Sequence, residues 1–290
     1  MLNILLHLNQ DKKREVEVKS GSWIVALSIF FIFQYGYAED KQIVVLVPSY
    51  NNARWYQKNL DSVFMQTYNN YRVLYIDDCS TDNTADLVEA YVAEQGFADR
   101  VTVIRNEERR RAMANIYAGV HMCQDKEIVV MLDGDDWLAN DRVFELLNLV
   151  YQQPNVWLTF GNFRMHSRGY SWGGSIPTKV VRGKQLRSFQ PGPSHLRTFY
   201  AGLFKKIRRE DLCRDGEFYA YTYDLAMMFP MIEMAGDRYQ FIGRVLYIYN
   251  DHNPINDHKI DKQMQREIDL EIRSKTPYER IETLFDDEIG

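Results

Sequence analysis

Two carboxylates one residue apart, Asp133 and Asp135, follow the apolar run Ile128–Leu132 with no lysine or arginine beside them. Left alone, such a pair repels, and one member tends to keep its proton. A divalent cation removes that conflict, and carboxylate oxygens suit hard ions such as Mg²⁺ or Mn²⁺. A solvated acidic turn capping the next helix is the competing reading. An EF-hand calcium loop is excluded, because its fifth and sixth positions need an oxygen ligand and a glycine, and Trp137 and Leu138 stand there. Two more polar clusters end apolar runs: Ser49-Tyr50-Asn51-Asn52 and Asp77-Asp78. No Gly-x-Gly-x-x-Gly follows the first run, and no Gly-x4-Gly-Lys-Ser/Thr occurs, which removes two common phosphate-binding loops.

The elements around these clusters alternate in period. Ile43–Val47, Tyr71–Ile76, Val101–Ile104, Ile128–Leu132 and Val156–Phe160 read as apolar strands. Between them, stripes such as Tyr56, Leu60, Val63 and Phe64, or Met113, Ile116, Tyr117 and Val120, read as amphipathic helices. Apolar strands alternating with such helices imply an α/β fold with a mainly parallel sheet covered on both faces. Ligands of these sheets bind beyond the carboxyl ends of the strands, so the three polar clusters should converge on one crevice. Residues 162–215 are broken by glycine and proline and read as long loops with a strand or two. A helix over 223–235 and a strand over 241–249 restore regularity.

Net charge narrows the function classes. The 290 residues carry 35 Lys+Arg against 40 Asp+Glu, a formal charge of −5, which leaves no basic excess to hold a nucleic-acid backbone. Residues 261–290, read as a charged helix and tail, hold nine acids and five bases and so account for most of that charge. Three scattered cysteines make neither a disulfide framework nor a zinc cluster.

Residues 1–40 read differently. A stretch containing Lys12, Lys13, Arg14 and Lys19 precedes an uncharged apolar run at 24–33, and Gly36-Tyr37-Ala38 follows. That order is that of a secretory signal peptide or a short signal anchor with a cytoplasmic N-terminus. It implies a secretory or extracytoplasmic location, or membrane association through residues 23–38. The segment falls short of the ~20 residues a spanning helix needs, no Asn-x-Ser/Thr acceptor occurs, and a misassigned start would leave the protein cytoplasmic.

Four blocks resemble one family in order and spacing: Val45–Asn52, Leu60-Asp61-Ser62-Val63 to Gln66-Thr67-Tyr68, Tyr75–Thr84, and Leu132-Asp133-Gly134-Asp135-Asp136-Trp137. They are similar to family 2 glycosyltransferases of the GT-A fold. The resemblance implies a GT-A domain over 41–260, with a nucleotide-sugar half at 41–160 and an acceptor half at 161–260. By the same resemblance Pro48, Tyr50, Asn51 and Asp78 would contact the donor nucleotide. Asp133 would meet the ribose or the metal, and Asp135 would hold the Mn²⁺ or Mg²⁺ bridging the diphosphate. Asp224, in Tyr223-Asp224-Leu225, occupies the place of the family's acidic base, with tyrosine replacing the acid before it. An ordinary aspartate pKa near 3.9 makes a weak base unless its surroundings raise it, and a helix-start aspartate is the competing reading. His252 matches the family's strand-end histidine, where it would touch diphosphate or metal; a surface histidine is the alternative. Arg111, with Arg109 and Arg110, would reach the phosphates or simply begin a helix. Tyr170 and Trp172 are candidates to stack an acceptor sugar.

The resemblance therefore implies an inverting, metal-dependent transfer of a sugar from a nucleotide-diphosphate donor, a UDP-sugar first, to a hydroxyl on a glycan, lipid or protein. Two alternatives stand beside it. One is a degenerate member that binds nucleotide or glycan without turnover. The other is a nucleotide-sugar pyrophosphorylase, which lacks support because Pro48-Ser49-Tyr50-Asn51 is not a glycine-rich cationic loop.

Overall fold

The computed structural model describes residues 40–254 and 261–285. The expected export or anchor segment, residues 1–40, lies outside the described residues except for Asp40. Among the described residues no helix is long and apolar enough to cross a membrane.

Strand β1 (Ile43–Ser49) is buried along its whole length, as a run without a polar alternate must be when both sheet faces are covered. It pairs in parallel with β2 (Tyr71–Asp77) on one side and β4 (Ile128–Met131) on the other, while β3 (Val101–Arg105) extends the sheet beyond β2. Helices α1 (Tyr56–Phe64), α2 (Thr84–Glu94) and α3 (Arg111–His121) make the crossovers. The register sets Ser49 beside Asp77 and Leu46 beside Met131, so the polar clusters that follow β1, β2 and β4 emerge at one edge. Backbone bonds then tie them together: Asp78 N–H donates to Ser49 O (2.8 Å) and Gly134 N–H to Pro48 O (3.1 Å).

The second half continues the same sheet. After β5 (Trp137–Leu138) and α4 (Val143–Tyr151), β6 (Leu158–Met165) runs five residues past the expected end at Phe160. It does so because the long β11 (Tyr239–Tyr249) pairs beside it as far as Tyr249 opposite Met165. The segment read as loops contains more structure than its composition indicated. It holds β7 (Ser171–Trp172), α5 (Thr178–Arg182), β8 (Thr198–Tyr200), α6 (Ala201–Lys205) and β9 (Cys213–Arg214), which pairs in a hairpin with β10 (Glu217–Phe218) just beyond it. Three-residue β8 inserts antiparallel between β4 and β6 and so joins the two halves. Among the described residues nine strands form this sheet, in the order β3-β2-β1-β4-β8-β6-β11-β5 with β7 paired to β6.

Helix α7 (Tyr223–Ala235) is buried from Leu225 to Ala235, which its apolar composition on every face requires. Helix α8 (Lys262–Ser274) is capped by Asp261, whose carboxylate accepts the Met264 N–H (2.9 Å), and it buries Ile268 and Ile272. A buried ion pair holds α8 against α7. The Arg187 guanidinium bonds both oxygens of Glu233 (2.7 and 2.8 Å) and donates to Ile272 O at the end of α8 (2.7 Å).

Candidate active site

The carboxyl ends of β1, β2 and β4 open into a cavity of about 900 Å³. Pro48, Tyr50, Asp78, Arg111, Asp133, Asp135 and Asp224 all line it, although they come from both halves of the chain. Asn51 and His252 do not line it. Asn51 adopts a left-handed backbone (φ 54°), and its Oδ1 accepts the Thr81 N–H (2.8 Å), bracing the loop from behind. His252 is exposed, with its ring edge-to-face on His166 at 5.3 Å. The turn after β11 explains this. Asn250 N–H donates to Asp136 Oδ1 (2.6 Å) and Asn250 Oδ1 accepts the His252 N–H (3.2 Å). That turn brings Asn253 inward, and its Nδ2 donates to Asp135 Oδ2 (2.7 Å).

The acidic turn is clamped from below. Asn59, fully buried on α1, donates through Nδ2 to Asp133 O (2.9 Å) and Asp136 O (2.8 Å). Gly134 lies so close to β1 that a Cβ there would sit 2.7 Å from Ser49 Oγ and from Asn52 Nδ2. The buried Tyr247 hydroxyl donates to Asp136 Oδ2 (2.5 Å) and lies 3.2 Å from Asp133 Oδ2. Burial raises the Asp136 carboxyl well above the usual carboxylate range, and neighbouring Asp135 and Asp133 push it further. Burial raises Asp133 as well, against the opposing pull of Arg197.

These residues suit a hard cation that its ligand completes. Among the described residues no three His, Cys, Asp or Glu side chains assemble into a cation cage. Asp133, Asp135 and Asp136 all line the cavity, but Asp136 is engaged by Tyr247 and Asn250, so Asp135, with Asp133 beside it, is the carboxylate of the acidic turn best placed to hold a cation. One or two carboxylates plus phosphate oxygens and water is the ordinary magnesium arrangement.

Asp78 is braced too. Its carboxylate accepts the N–H groups of Arg110 and Arg111 (both 2.8 Å) and the Asn106 Nδ2 (2.9 Å). Burial alone would raise its pKa, but these bonds and the Asn115 amide outweigh it, so the carboxyl sits below its ordinary value. The same bonds hold Arg111 in a left-handed conformation (φ 68°), which non-glycine residues rarely adopt. Arg109 lies over the Tyr50 ring at 3.8 Å.

Asp224, in the first turn of α7, also lines the cavity and pairs with the buried Arg197, Nη2 to Oδ2 at 2.7 Å. Arg197 Nη1 also lies 3.2 Å from His195 Nδ1, and the His195 ring stacks on Tyr247 at 4.3 Å. Burial, then the Arg197 charge, holds His195 well below the ordinary histidine pKa, so the neutral ring's Nδ1 accepts a hydrogen bond from Arg197 Nη1. A chain of contacts thus links Asp224 to the acidic turn. Arg197, Tyr247, Asn59 and Asn253 were given no role by the sequence reading, although Tyr247 and Asn253 border the segment matched around His252, because each acts through a long-range contact that no local pattern shows. Trp172 and Tyr170 line the cavity from the β6–β7 hairpin and remain 51% and 58% exposed.

The sequence model described as Glycosyl transferase family 2 matches residues 44–212, more than half of the chain. The chain belongs to glycosyl transferase family 2. A Haemophilus influenzae relative named as an uncharacterized glycosyltransferase is 32% identical over 112 residues, covering 39% of this chain and 35% of that protein. This family 2 glycosyltransferase chain therefore spans about a third of that relative's length. Solved structures share the fold. The mannosyltransferase PcManGT of Pyrobaculum calidifontis, in complex with GDP-Man and Mn²⁺, has a TM-score of 0.56 at 21% identity, covering 83% of this chain and 66% of that one. S. aureus TarS 1–349 with UDP-GlcNAc has a TM-score of 0.55 at 17% identity, covering 75% and 60%. The α/β architecture with its mainly parallel sheet is accordingly the GT-A fold.

Proposed function

We propose that this chain transfers a sugar from a nucleotide-diphosphate sugar to an acceptor hydroxyl, with metal assistance and inversion at the anomeric carbon. The observation that carries the reading is the single cavity in which Pro48, Tyr50 and Asp78 face Asp133 and Asp135 on one side and Asp224 on the other. The complexes of TarS with UDP-GlcNAc and of PcManGT with GDP-Man and Mn²⁺ support a nucleotide-sugar donor and a divalent cation, with a UDP-sugar the first choice.

In this reading Tyr50 and Pro48 flank the base, Arg111 faces the diphosphate, and Asp135 with Asp133 would hold the cation. A bound Mg²⁺ or Mn²⁺ would neutralise the charge that develops on the departing diphosphate. Asp224 takes the proton of the acceptor hydroxyl, whose oxygen bonds to the anomeric carbon as the nucleoside diphosphate leaves. Arg197 holds Asp224 in place through the 2.7 Å ion pair. One displacement of this kind inverts the anomeric configuration. Membrane association through residues 23–38 belongs to the same proposal, and sequencing the N-terminus of the cell-derived protein tests it, since a start at Glu39 would show the segment cleaved and the anchor lost.

Nucleoside diphosphate release across a panel of nucleotide sugars, with Mn²⁺ or EDTA, tests the function. Release that EDTA stops and Asp135→Ala abolishes is expected. Asp224→Asn should lower transfer by about 10²-fold or more while donor binding persists, the scale of a lost general base. Donor binding without turnover for every acceptor would instead favour the binding-only alternative.

A further inference from the structure

The C-terminal helix turns an unexpected face to the cavity. Residues 261–290 hold nine acids against five bases, yet Lys262 and Arg266 of α8 line the site, one helical turn apart. Both are exposed, and among the described residues neither meets a carboxylate. Asp269 and Arg273, which line the same wall, bond each other at 3.0 Å and add no net charge. The position of the two cations is set by Thr222, whose hydroxyl donates to Gln265 O at 3.2 Å. Thr222 stands two residues before Asp224. Lys262 and Arg266 therefore line the same cavity as the candidate base, on a helix tied to the residue two before it, and lie outside the 44–212 stretch that the family model matches.

We propose that Lys262 and Arg266 bind a phosphate group carried by the acceptor, next to the hydroxyl that faces Asp224. The inference rests on the glycosyl-transfer reading above. Two cations whose charge no described carboxylate neutralises favour an anionic ligand, and guanidinium and ammonium donors together match phosphate oxygens. A neutral acceptor would leave that charge unused.

The test uses the full chain and three acceptor probes: hexose 1-phosphates, the matching methyl hexosides, and hexosyl polyprenyl phosphates in phosphatidylcholine vesicles. Binding is measured by titration calorimetry with nucleoside diphosphate present, and transfer is measured separately. The wild type is expected to bind a phosphate-bearing probe at least about tenfold tighter than the methyl hexoside, as two charged hydrogen bonds imply. That preference should shrink as salt rises and screens the exposed cations. Lys262→Glu with Arg266→Glu should erase it and raise acceptor KM, as should the milder Lys262→Gln with Arg266→Gln, whereas Lys179→Glu, at an exposed position of α5, should not. Preference for the vesicle probe over the soluble one assigns the phosphate to a lipid-linked acceptor, and the reverse assigns it to a soluble glycan. Equal binding of charged and neutral probes by the wild type would overturn the proposal. So would charge-reversed variants in which donor KM rises and acceptor KM stays put. Failure of the glycosyl-transfer reading is separately visible as no nucleotide release from any donor, because the binding arm needs no turnover.

Discussion

Single residues at the acidic turn show how little freedom the site leaves. Gly134 is required by close approach and not by backbone angle, since a Cβ would press on Ser49 Oγ and Asn52 Nδ2 at 2.7 Å. Gly134→Ala should displace the turn, costing about 1–3 kcal/mol as overpacking does. If the proposed metal assistance holds, its signature should be an Mn²⁺ activation curve shifted to higher concentration, alongside a lower urea midpoint. Tyr247→Phe removes the hydroxyl that donates to Asp136 and leaves that buried carboxyl short of a partner. A stability loss of about 1–3 kcal/mol follows, read by chemical denaturation, and the rings of Phe163 and His195 should repack against the new side chain.

Elements carry the cavity wall that α7 and α8 contribute, and the Arg187–Glu233 pair fastens it. Both side chains are buried, at 7% and 5% exposure, and Glu233 Oε2 also accepts the Tyr278 N–H (2.9 Å). Removing one partner strands the other charge in the interior, which costs about 3–5 kcal/mol. Glu233→Gln should therefore lower the denaturation midpoint and expose the segment after Arg266 to limited proteolysis. Replacing both partners, Arg187→Met with Glu233→Met, should restore most of the stability because no buried charge remains. Protection of α8 should stay incomplete, since the Arg187 bond to Ile272 O is lost. An unchanged proteolysis pattern in both variants would show that this pair does not fasten α8.

At the scale of the whole molecule, His195 makes stability depend on pH. Its folded pKa lies well below the unfolded value of about 6.5. The unfolded chain therefore takes up the proton first as pH falls, so the contribution is complete above about 6.5 and declines below it. Arg197, Tyr247, Phe163 and Tyr249 face the ring, and Arg197 is the cation among them. Asp133 and Asp136, raised in the fold, act in the opposite sense, so the test is a difference: His195→Gln should flatten the decline in midpoint below pH 6.5 relative to the wild type. The apolar run of β1, its neighbours β2 and β4, and the acids that follow them were legible in the sequence. A strand buried on both faces has no alternative pattern, and polar residues at its end have nowhere to go but the crevice. Three-residue β8 was not legible, because three residues make no period and its place between β4 and β6 comes only from its partners. The strand-end position taken by Asn253 instead of His252 depends on the Asn250–Asp136 bond, which joins residues 114 positions apart. The acidic C-terminal segment is the plainest case. Its composition determined a charge of one sign, but the helix rotation that packs Ile268 and Ile272 inward decided that the cavity meets Lys262 and Arg266.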